Sequence, residues 1–133
     1  MNNNNNAYKA LLEEGIAAQG DLLIVRADLI QEVKDEWEVV VSTSGHYVVA
    51  HSEAGHHHVL RPLAGSLQSP VLWRDPRAEN PELRSIVEVP EGCSEIVHMR
   101  SNHTHETHIL PPGEWVLIRQ QRPTPEGWAV VTD

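Results

Sequence analysis

Histidine is the residue type in this chain whose number and spacing most suggest chemistry. Six of the nine histidines fall in two short clusters, EAGHHH at 53–58 and SNHTHETH at 101–108. On an extended strand, residues two apart share a face, so His56 and His58 point together while His57 points away. His103 and His105 repeat that spacing, and His108 has the opposite parity unless a bulge intervenes. If two such pairs meet on neighbouring strands, four neutral imidazoles surround one point, a donor set suited to a divalent transition metal such as zinc or iron. Glu53 and Glu106 stand close enough in sequence to serve as a carboxylate ligand, as the acceptor of a ligand N–H, or as a general base for metal-bound water.

Other chemistry has weaker support. His105-Glu106-Thr107 is a single His-x-Thr element, and phosphoesterases of that type need two. Cys93 lies beside a turn with no activating pattern around it, which suits an inert thiol. Trp37 and Trp115 read as core residues of strands, whereas Trp73 could offer a ligand platform. Protonating all nine histidines would take the formal charge from −9 to zero, so the surface field is expected to depend on pH.

The elements that must position these residues are mostly strands. Over 133 residues the length fits one domain, and 40% of them are hydrophobic. The Asn run suggests a flexible polar arm over 1–6, followed by a single β-rich domain over 7–133. Asn6 can cap a short helix carrying Tyr8, Leu11 and Leu12, with Gly15 as its stop. Apolar runs at LLIVR (22–26), WEVVVS (37–42), HYVVAH (46–51), HVLR (58–61), LRSIVEV (83–89), SEIVHMR (94–100), EWVLIRQQ (114–121) and WAVV (128–131) read as strands. A hairpin through Gly45 is expected to join 37–42 to 46–51. Residues 62–82, rich in proline, read as a long excursion around the short apolar piece VLW (71–73). This spacing predicts a mainly β fold, a small antiparallel barrel or sandwich with one short N-terminal helix.

Composition also bounds the partners. Nineteen acidic against ten basic residues disfavour nucleic acid and anionic membranes. No apolar run reaches the length of a membrane span, and MNNNNN has the features of no signal peptide, so secretion by a signal peptide is not expected. The lone Cys93 excludes an internal disulfide framework and a thiolate-rich zinc site.

Read in order, GDLLIV (20–25), VVAHSEAGHHH (48–58), HETHILPPGEW (105–115), IRQQRPTP (118–125) and VVTD (130–133) resemble a family of small uncharacterised proteins of tailed phages and mobile bacterial loci. That family carries Gly-His-x-His, then His-x-x-His and Leu-Pro-Pro-Gly. The resemblance puts its first motif on Gly55, His56 and His58 and its last histidine on His105. The remaining histidine falls on Asn102, one place from His103, so the sequence departs there. It implies no activity, but it makes a host cytoplasm or a virion the expected setting. The resulting expectation is a β-barrel metal-binding protein with ligands His56, His58, His103 and His105. A virion decoration or cement protein, as a homo-oligomer or on a capsid, and a cupin-like metal enzyme are the alternatives.

Overall fold

The computed structural model describes residues 3–30, 34–42, 44–50, 57–99, 105–124 and 127–130. The chain opens with helix α1 (Asn3–Glu13) and continues with strands β1 (Ile16–Gln19) and β2 (Leu22–Arg26) and a short helix α2 (Ala27–Ile30). Then come β3 (Glu38–Val39), β4 (Tyr47–Ala50), β5 (His58–Pro62), β6 (Val71–Arg74), β7 (Arg84–Val89), β8 (Ser94–Met99), β9 (His105–Leu110), β10 (Gly113–Arg119), β11 (Gln121–Thr124) and β12 (Gly127–Val130).

These strands form a six-stranded sheet, β1-β2-β10-β7-β6-β3, a four-stranded sheet, β4-β5-β8-β9, and the separate β11-β12 hairpin. Every pairing is antiparallel. In the central strands the two-residue side-chain period sends one set of apolar side chains inward. Leu22, Ile24, Leu72, Val87, Trp115 and Leu117 of the larger sheet share one buried core with Leu60, Ile96 and Leu110 of the smaller. Two sheets over one core make the sandwich arrangement, and no closed barrel is present among the described residues. The larger sheet carries a second cluster on its other face, where Ala27, Ile86 and Val116 pack with Trp37, Trp73 and Ile118.

Helix α1 packs against β9 and β1, the edge strands of the two sheets, and sends Leu11 into the shared core. It ends as expected at Gly15, whose φ of 76° is the left-handed conformation glycine adopts at little cost. The N–H groups of Glu14 and Gly15 both donate to the Ala10 carbonyl, at 2.8 and 3.0 Å. Its start differs from expectation: the helix begins at Asn3, so Asn3 to Asn6, assigned to an arm, are helical.

Two other expectations are corrected. Residues 37–42 and 46–51 do not form a hairpin, because β3 pairs with β6 in one sheet and β4 with β5 in the other. Gly45 does turn, at φ 78°, and Ser42 Oγ accepts from its N–H and donates to the His46 carbonyl, but this turn passes the chain between sheets. Residues 71–74, read as part of an excursion, form β6, an interior strand between β7 and β3. Leu72, with no exposed surface, accounts for that position.

Candidate functional site

The inner face of the four-stranded sheet changes character along its length. One row of cross-strand neighbours runs Leu60, Ile96, His108; the next runs Ala50, His58, His98, Glu106. Opposite them, the larger sheet offers the row Gln19, Leu22, Arg119. The turn between β1 and β2 adds Asp21, held by Gln120 N donating to its carbonyl at 2.8 Å. Polar residues from both sheets therefore meet at one end of the core.

His58 stands at the centre, with 1% of its surface exposed. Its Nδ1 lies 2.9 Å from Gln19 Oε1, and its Nε2 lies 2.7 Å from Asp21 Oδ1. Arg119 Nε donates to the other carboxylate oxygen of Asp21 at 3.1 Å. Gln19 Nε2 donates to two backbone carbonyls of the smaller sheet, Ile96 at 2.9 Å and Glu106 at 3.0 Å. The rings of His58 and His98 are stacked, with centroids 4.0 Å apart and planes 12° from parallel. Beside them, His108 Nε2 lies 3.0 Å from Glu106 Oε1.

Burial pushes the Asp21 carboxyl up, but the hydrogen bonds from His58 and Arg119, together with their charges, outweigh it and hold the group below the usual aspartate range. Asp21 is thus held ionised inside the fold, with the Arg119 guanidinium as a cationic partner.

Of the four histidines expected to bind metal, His58 is in this cluster. His105 opens β9 with its backbone opposite Met99, so the register puts Glu106 rather than His105 in the row of His58. His56 and His103 lie outside the described residues, as does Glu53. Among the described residues no group of three or more histidine, cysteine, aspartate or glutamate side chains could hold a metal ion. Glu106 does neighbour the site, through its backbone carbonyl and beside His108.

The other singled-out residues have plain roles. Trp115 is buried and donates from Nε1 to the Pro111 carbonyl at 2.9 Å. The ring of Trp73 is covered by Lys34, whose Nζ is 5.1 Å from its centroid. Cys93 is half-buried at φ 67°. The hydroxyl of Tyr8 is raised above its ordinary range, chiefly by burial and further by Cys93.

Sequence spacing did not reveal Gln19, Asp21, His98, His108 or Arg119 as members of one cluster. A signal was available for three of them, because SNHTHETH contains His108 and the stretches GDLLIV and IRQQRPTP contain Asp21 and Arg119.

These features define a class: a two-sheet β protein, rich in histidine, whose polar residues join its sheets from within. The chain belongs to the family described as a domain of unknown function, DUF8820, whose model matches residues 18–120. Gln19 and Arg119 stand just inside the two ends of that match. No curated protein and no solved structure matches the chain. Among the described residues no helix is long and apolar enough to cross a membrane.

Proposed function

We propose that this is a transition-metal-binding protein of phage or mobile-element origin, with its metal at the histidine-rich end of the four-stranded sheet. One observation carries the reading. Because β5 and β8 are antiparallel neighbours with His58 opposite His98, the residues that bound the two histidine-bearing connections, Ala50 and His58 on one side and Met99 and His105 on the other, stand at the same end of one sheet. The two connections lie roughly 150 Å apart along an extended chain, and the strand register brings the residues that bound them to one end.

His58 already has a partner on each ring nitrogen, so this reading assigns ligation to His56, His103 and His105 and gives His58 a supporting role. Imidazole donors suit zinc or iron. The phage setting rests on the ordered motifs from GDLLIV to VVTD.

Elemental mass spectrometry of untagged protein, purified without a chelating resin, tests the reading. The expected result is about one transition metal per chain, lost when His56 and His105 are both replaced by alanine. A metal-free wild-type protein, or a double variant that keeps its metal, would overturn it.

A further inference from the structure

From the partners around His58 we infer that this residue is a buried imidazolium, with a hydrogen on each ring nitrogen, and that it cross-links the two sheets as a fixed cation. The inference stands whether or not metal binds nearby. It begins with Gln19, whose Nε2 faces the carbonyl oxygens of Ile96 and Glu106 at 2.9 and 3.0 Å. Carbonyl oxygens only accept, so the NH2 end of the amide must be the end turned toward them. That fixes the amide oxygen, which has no hydrogen to give, 2.9 Å from His58 Nδ1. The hydrogen of this bond therefore sits on Nδ1.

The other nitrogen meets the same condition. His58 Nε2 is 2.7 Å from Asp21 Oδ1, and Asp21 Oδ2 accepts from the Arg119 guanidinium at 3.1 Å. A carboxylate beside a guanidinium is ionised and can only accept, so Nε2 donates as well. A neutral imidazole has one N–H; this environment requires two. The flat face of His98, stacked 4.0 Å away, completes the surroundings with the electron-rich side of a ring.

Such a residue has no free nitrogen lone pair. It can neither ligate a metal nor accept a proton, and the two histidines of Gly55-His56-x-His58 then serve different ends. His58 instead joins β5 of the smaller sheet to β1 and the β1–β2 turn of the larger.

The test is a side-chain proton–nitrogen correlation spectrum of the full chain, labelled with 15N-histidine, treated with chelator and held near neutral pH. Through-bond assignment identifies His58 without a variant. Two bonded ring protons on His58, both unchanged when zinc is added, are the expected result. A single ring proton on His58, or loss of either signal on adding zinc, would overturn the inference. In Gln19→Met, which removes the Nδ1 acceptor at similar size, the Nδ1 proton signal is expected to disappear while that on Nε2 stays; two unchanged signals there would count against the role given to Gln19.

Discussion

Asp21 accepts from two cationic side chains at once, one on each oxygen, with only 4% of its surface exposed. Replacing it with asparagine keeps the shape but leaves Arg119 and His58 buried without their anion. Removing one partner of a buried pair costs about 3–5 kcal/mol, and urea denaturation at neutral pH should show a loss of that order for Asp21→Asn. The pH dependence follows from the direction of the shift. The folded carboxyl is held below 3.8, its unfolded value, so the unfolded chain takes up the proton first as pH falls. The stability that ionised Asp21 contributes is therefore complete above that value and is lost as pH drops through the lower, folded one. Measured across that acid range, the gap between wild type and Asp21→Asn should narrow; a constant gap would mean that the carboxylate charge is not what stabilises the cluster.

Among the elements, what could be read from sequence depended on whether the pattern was local. The strand LLIVR stands at β2 because Gly20-Asp21 bounds it and both of its faces are largely covered. Gly15 ended its helix for an equally local reason. The pairing of 37–42 failed because Gly45 signals a turn without saying which sheet receives the chain afterwards. Piece 71–74 was undervalued because four residues among prolines look like a loop until β7 and β3 flank them. The site follows the same rule: His58 was visible in its motif, but Gln19 and Asp21 stand 39 and 37 positions away, joined to it only by the packing of two sheets. Lys34 offers a test at this scale. Glu88 of β7 and Glu114 of β10 stand directly opposite each other, and Lys34 bonds to both, at 2.7 Å for Glu114. Burial alone would push its ammonium down, but the two carboxylates hold it above the ordinary lysine range. Lys34→Met removes the bridge and leaves like charges across a strand pair. Because these carboxylates are more than a third exposed, the expected cost is about 1 kcal/mol. Adding Glu114→Gln to that variant should recover part of the loss in a double-mutant cycle.

For the molecule as a whole, the sandwich has an open side where β1 and β9 end their sheets, and α1 lies across it. The helix precedes the region matched by the family, which starts at residue 18, yet Leu11 is as buried as the central strand residues, at 1% exposure. The next residue, Leu12, is 54% exposed, so two adjacent leucines of one helix separate closure of the core from mere helix formation. Leu11→Ala leaves a cavity at the seam between the sheets and should cost about 2–5 kcal/mol. Leu12→Ala removes no buried surface of that kind and should stay within about 0.5 kcal/mol of wild type. Thermal or urea unfolding of the two variants side by side reads the difference. Equal, small effects would mean that the two sheets hold together without the helix, and the family region would then be sufficient by itself to close the core.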